Sequence, residues 1–285
     1  MPTTTISKKS TLRILDIHIS EVDDHPNTLK NIMFNRDFEG MIIRNVLSPE
    51  TVKQVVYRLE NGAMKSLYLT RPTEGVNRKY KPIEIYGRTL IGTPLSDMKQ
   101  YFNCAEEFRQ ECSNLFREDP SLEERVEYVL HGLSGLPVQI PNGPEEGQIY
   151  TPATIRVLFD GDEMPIHAGN QLIRLPQSEH LNTLIDITDQ FSYFIPITVP
   201  EAGGELIIYS LEWNPEEKSE EKAVDSLFEQ TYDSLAVAPA PGDMLVFDGG
   251  RYYHRVTPVL GSQPRRTIGG FMAFSKQHDV FYYWS

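Results

Sequence analysis

Two histidines, a glycine, an arginine and a threonine are the residues of this chain that could do chemistry together. His167 stands in Pro165-Ile166-His167-Ala168-Gly169-Asn170, and His254 in Arg251-Tyr252-Tyr253-His254-Arg255-Val256. Two neutral imidazoles can share one divalent metal ion. Eleven residues after His254 comes Arg265, then Arg266 and Thr267. On a strand, Arg265 and Thr267 point to one face. A forked guanidinium beside a hydroxyl suits a carboxylate such as the distal one of 2-oxoglutarate.

None of the seven histidines (18, 25, 131, 167, 180, 254 and 278) is followed two places on by Asp or Glu. A His-x-Asp facial triad therefore cannot be written, and HExxH, GxxxxGK and GxSxG are also absent. The order proximal His, distal His, then an oxoacid-binding Arg is still that of an iron/2-oxoglutarate oxygenase, departing from it at Gly169. Glycine offers no ligating side chain, so one more position on iron is open to another anion, and a halide restores the missing charge. Asp162 and Glu163 are poor substitutes, because an extended chain carries position −4 roughly 13 Å away. At this point the residues leave three readings: halogenation, hydroxylation or desaturation with water in the gap, and a metal-free small-molecule binder on the same fold.

These groups need rigid elements to hold them. The 285 residues suffice for one large domain or two small ones, burying about three quarters of the chain's surface. The net charge of −13, with no basic stripe, argues against a nucleic-acid partner. Met1 to Lys9 is polar, with no apolar run behind its lysines, so no secretory leader is expected. The apolar run Phe191 to Val199 is too short to span a membrane. Cys104 and Cys112 would lie about 12 Å apart on one helix, beyond disulfide reach. A reducing cytoplasm is the expected location.

The first half reads mainly as helices. Ser48-Pro49-Glu50 is a helix start, followed by Val52, Val55, Val56 and Leu59, with Gly62 as the stop. Met98, Phe102, Ala105, Phe108, Cys112 and Leu115 recur at helical spacing from Asp97 to about Arg117. Ser121 with Glu124 makes a capping box for a helix ending near Gly132.

After Pro137 the texture turns to short strands: 153–159, 191–199, 205–210, 243–247, 253–259, 267–274 and 280–284. The fold expectation is one α+β domain over 1–285. Residues 1–137 form a helix-rich support, and 138–285 a double-stranded β-helix, a jelly roll of the cupin-like kind. The charged insert near 215–230 is a helix, read either as a solvated surface element or as a cover over the barrel mouth.

From about Leu12 to Ser285 the chain resembles the freestanding aliphatic halogenases of cyanobacterial hapalindole-type (welwitindolinone, ambiguine) indole-alkaloid pathways. The similar stretches are Gly135 through Val138, Tyr150 through Arg156, Ser192 through Glu205, Leu211 through Pro215, Gly250 through Val256, Arg265 through Phe271 and Tyr282 through Ser285. The resemblance implies that His167 and His254 bind Fe(II), that Arg265 and Thr267 hold 2-oxoglutarate, and that Gly169 leaves room for chloride, with bromide an alternative halide. It also implies that Ser192 lies beside the reacting metal and favours halogen transfer over hydroxylation. O2 would be consumed, succinate and carbon dioxide released, and an unactivated aliphatic carbon chlorinated. The implied substrate is an apolar polycycle such as an indole terpenoid, carried by no carrier protein. Arg71 to Tyr86 and Gln171 to Arg174 depart from the family, so the substrate pocket is expected to differ, with Ile83, Ile85, Met164 and Leu172 as its candidates.

Overall fold

The structure is a computed structural model that describes residues 12–71, 83–117, 120–172, 174–216, 228 and 230–285. In chain order the strands are β1 (Ile14–His18), β2 (Gly40–Arg44), β3 (Tyr68–Arg71), β4 (Ile83–Tyr86), β5 (Val138–Gln139), β6 (Thr154–Leu158), β7 (Met164–His167) and β8 (Ile185–Thr198). They continue with β9 (Ala202–Gly203), β10 (Leu206–Glu212), β11 (Ser234–Val237), β12 (Met244–Phe247), β13 (Tyr252–Val256), β14 (Val259–Leu260), β15 (Arg265–Ser275) and β16 (Phe281–Trp284). The helices are α1 (Thr28–Lys30), α2 (Pro49–Glu60), α3 (Met98–Phe116), α4 (Leu122–Ser134), α5 (Gly169–Leu172) and α6 (Leu181–Leu184).

Two sheets make the jelly roll. The larger runs β1-β2-β12-β8-β15-β6-β4-β3, with β16 and β5 joined through β15. The smaller runs β11-β10-β13-β7. Their facing sides share one apolar cluster, to which the large sheet gives Ile42, Ile83, Leu158, Leu245 and Phe247 and the small sheet Leu206, Ile208, Val237, Tyr252 and Val256. This alternation, every second residue inward, is what closes two half-apolar sheets on each other.

The outer side of the large sheet is covered by helices. Ser48 Oγ accepts from Thr51 N at 3.0 Å and caps α2, with Pro49 in its first turn. Val55 and Leu59 of α2, Phe108 and Leu115 of α3, and Val126, Val129, Leu130 and Leu133 of α4 pack with Ile195, Ile197, Met272 and Phe274 of the sheet. The Ser121–Glu124 capping box forms as the sequence suggests. However, α4 runs past Gly132 to Ser134 and closes on Gly135, at φ +68°. Gly132 serves packing instead: a Cβ there would meet Val22 at 3.1 Å.

The residues before 137 are less helical than their periodicity suggests. Four strands among them, β1 to β4, join the large sheet. They are short, and all four lie at or next to the sheet's edges, where half-exposed positions dilute the apolar alternation. Most of the 215–230 insert lies outside the described residues. Phe228 is described, and it is buried against Tyr209 and Tyr253. No described helix is long and apolar enough to cross a membrane.

Candidate metal centre and anion pocket

His167 at the end of β7 and His254 within β13 are direct cross-strand partners, their ring centroids 4.3 Å apart. His167 Nδ1 donates to Pro165 O at 2.8 Å, and His254 Nδ1 donates to Tyr252 O at 2.9 Å. A carbonyl only accepts, so each Nδ1 carries the hydrogen and each Nε2 keeps its lone pair. Burial, the neighbouring His167 and Arg156 together push the His254 imidazole well below its ordinary range. It is neutral at pH 7, the form that ligates a metal. The Phe247 ring stands edge-on to His254 at 5.1 Å and closes one side.

No third ligand of the usual kind stands near. Among the described residues no group of three or more His, Cys, Asp or Glu could hold a metal ion. Asp162 Oδ2 is taken by Phe159 N at 2.9 Å, inside the turn that precedes β7. Gly169 opens α5, two residues beyond His167, and its N–H donates to Gly249 O at 2.7 Å.

Arg265 and Thr267 lie on the inward face of β15. The Arg265 Nε donates to Gly204 O at 2.9 Å, Nη1 lies 3.4 Å from Thr267 Oγ1, and the guanidinium sits over Phe194 at 5.2 Å. Arg265 is buried, yet no carboxylate pairs with it among the described residues. Burial and the nearby Arg156 lower it to about 10, which still leaves it charged at neutral pH. A buried cation without a counter-ion is costly, and a carboxylate arriving with a ligand could offset that cost. The residues thus fit both groups: two imidazoles whose Nε2 atoms carry lone pairs for a metal, and a buried guanidinium with a hydroxyl for an oxoacid.

Ser192 lies inward on β8, opposite Phe247 of β12 and Phe271 of β15. Its hydroxyl reaches within 2.5 Å of where a Cβ on Gly249 would stand. Glycine at 249 is what lets the Asp248–Gly250 turn pass so close. Ile83 belongs to the interior cluster, with Met164 packed against that cluster. Ile85 is buried and pairs with Arg156 on β6. The side chain of Leu172 lies outside the described residues.

Three residues near the site were not singled out from sequence. Arg156 pairs directly with Thr267, so it faces inward and adds a second positive charge beside Arg265 and His254. Gln190 is fully buried on β8, two residues before Ser192. Asp248 is buried with Oδ2 3.2 Å from Arg251 Nε, and burial outweighs that attraction to push it up to about 7. Period-two alternation on β8 could have flagged Gln190 once Ser192 was placed inward. Nothing local distinguishes Arg156 from a surface arginine.

Residues 11–285 match the family described as carrier-protein-independent halogenase WelO5. No curated protein matches the chain in sequence. Among solved structures, an N-substituted L-amino acid dioxygenase from Burkholderia ambifaria AMMD superposes with TM-score 0.53 at 13% identity, over 93% of this chain and 89% of that one. The nogalamycin-biosynthesis epimerase SnoN, solved with Fe3+, alpha-ketoglutarate and nogalamycin RO, gives TM-score 0.51 at 12% identity over 86% and 83%. The carbocyclase SnoK from the same biosynthesis gives TM-score 0.50 at 13% identity over 87% and 89%. At these identities the likeness is one of fold.

Proposed function

The chain belongs to the carrier-protein-independent halogenases, and from that membership we propose that its His167, His254, Gly169, Arg265, Thr267 and Ser192 form one halogenating centre. His167 and His254 hold Fe(II) through Nε2. Arg265 and Thr267 receive the distal carboxylate of 2-oxoglutarate, and chloride, or bromide in its place, occupies the position next to Gly169. The observation that carries this reading is the pair of cross-strand imidazoles, each locked by a backbone carbonyl, followed at 169 by a residue with no side chain.

Bound iron, with 2-oxoglutarate, O2 and halide, supplies the oxidising power that replaces a C–H bond by a carbon–halogen bond, with succinate and carbon dioxide released. The chain's part is positioning. The carbonyls of Pro165 and Tyr252 fix the imidazole tautomers. Arg265 neutralises and orients the oxoacid. Ser192, inward on β8, sets which group stands nearer the substrate carbon and so favours halogen over hydroxyl.

Family membership makes the substrate a free small molecule. We take it to be a largely apolar polycycle of the indole-terpenoid kind, because Ile83, Met164, Phe194 and Phe247 supply an apolar interior. Cys104 and Cys112 are free and buried, which favours a reducing cytoplasm.

The test is spectroscopic and needs no substrate. Fe(II) and 2-oxoglutarate added without air should give a visible charge-transfer band that chloride shifts. Absence of a band would sink the iron reading, and a band indifferent to halide would point to hydroxylation instead. With a candidate substrate and air, the product should carry the chlorine isotope pattern.

A further inference from the structure

The space beside Gly169 is shared with one particular side chain. A Cβ built on Gly169 would stand well under 3.0 Å from Gln190 Nε2, nearer than real Cβ atoms come. Gln190 is fully buried, and neither its Nε2 nor its Oε1 has a hydrogen-bond partner among the described residues. An amide left so is costly, on the order of 1–3 kcal/mol for each unpaired buried group. Buried unpaired groups in a native fold ask for a ligand, an ion or a role.

Its backbone is held in place. Gln190 O accepts from Gly250 N at 3.0 Å, and β8 is paired on both sides, by β12 and β15. Gln190 and Ser192 lie two apart on that strand and face the same interior. The amide is thus a dry donor carried on a held strand, next to the residue that has no side chain.

We propose that Gln190 is the halide-binding residue of this site, its NH2 group donating to the anion that sits beside Gly169. The proposal rests on the halogenase reading and adds to it the group that recognises the halide. A halide only accepts hydrogen bonds, so it meets the two unused N–H donors of the amide and repels its carbonyl oxygen. The donor is neutral. It therefore holds the anion without cancelling the charge that the metal needs from it, which a lysine or arginine at 190 would do. In a dry interior such a hydrogen bond is stronger than in water, because no solvent competes.

Gln190→Met tests this, since methionine has a similar shape and no N–H. Purified protein with Fe(II) and 2-oxoglutarate, kept free of oxygen, is titrated with sodium chloride while the visible band is followed. The wild type should saturate, and Gln190→Met should bind chloride at least tenfold more weakly, equivalent to about 1.4 kcal/mol. Gln190→Glu, which puts a carboxylate where the halide would sit, should show no chloride-dependent shift. Without metal, Gln190→Met should melt no lower than the wild type, because it removes two unpaired polar atoms. Gln190→Leu replaces it should the methionine variant fail to fold. Chloride affinity within twofold of wild type in a folded Met or Leu variant overturns the assignment of Gln190 alone. No chloride response in the wild type overturns the halogenase reading and this assignment with it.

Discussion

Met164 and His167 are three residues apart on β7, yet both face the barrel interior. Val256 pairs with Met164 and His254 with His167, so two residues on β13 are matched by three on β7. The extra residue is a bulge at Pro165-Ile166, where proline costs no ladder hydrogen bond. Pro165 O then accepts the Nδ1–H of His167, and Ile166 turns to the opposite side, into the cluster with Tyr209 and Tyr253. The bulge brings the proposed metal ligand and a proposed pocket residue onto a single face.

Met164→Ala should therefore alter which substrates are accepted, or which carbon is halogenated, while the anaerobic iron band stays as in wild type. Product analysis by mass and NMR, run beside the band, separates the two effects. A lost band would mean that the bulge, and not the pocket, depends on Met164.

Removing either imidazole should remove the metal. His167→Ala and His254→Ala are each expected to lower iron retained after gel filtration to background, and turnover by more than about a hundredfold, since a lost ligand outweighs the roughly 10–100-fold lost when a group hydrogen-bonded to a ligand is removed. Iron content by elemental analysis gives the answer directly.

Gly169→Asp restores the usual acid in sequence but not in space. The new Cβ meets Gln190 Nε2, Gly249 O and Gly250 Cα. Overpacking of this sort costs about 1–3 kcal/mol, so the variant should lose halogenation and also melt lower. Gln190→Ala added to it should recover part of the melting temperature and none of the halogenation. A calorimetric comparison of the single and double variants reads this out.

Arg265→Met should move two quantities in opposite directions. Affinity for 2-oxoglutarate should fall by a factor corresponding to about 2–5 kcal/mol, the usual loss when a buried charge pair is broken. The ligand-free protein should become more stable, because a buried guanidinium without a counter-ion is replaced by an apolar chain. Isothermal titration and thermal melting of the same preparation test both signs.

Asp248 gives a pH dependence. Burial raises its carboxyl from the ordinary 3.8 to about 7, so the folded state holds that proton more tightly than the unfolded state. The stability it contributes is full below pH 4 and declines as pH rises toward 7, by on the order of a few kcal/mol. The melting temperature of wild type minus that of Asp248→Asn should accordingly fall across that range and level off above it. A flat difference would mean that Asp248 is ionised throughout.

The sequence alone carried what depends on residue identity and short-range period. His167, Gly169 and His254 could be picked out because histidine and glycine at those spacings have few local uses. The helices α2, α3 and α4 showed in their caps and 3.6-residue periodicity, since both signals are complete within one turn or two. Strands β8, β10, β12, β13 and β15 were legible as runs, though not their partners. Tertiary structure decided the rest. Register is set between strands far apart in the chain, and it alone turned Arg156 toward Thr267 and put Gln190 against Gly169. The bulge on β7 broke the local alternation from which facing is inferred. Strands β1 to β4 joined the large sheet through backbone pairing that leaves little mark on composition. A gap can be read from a missing side chain, but what fills it depends on which neighbour the fold delivers there.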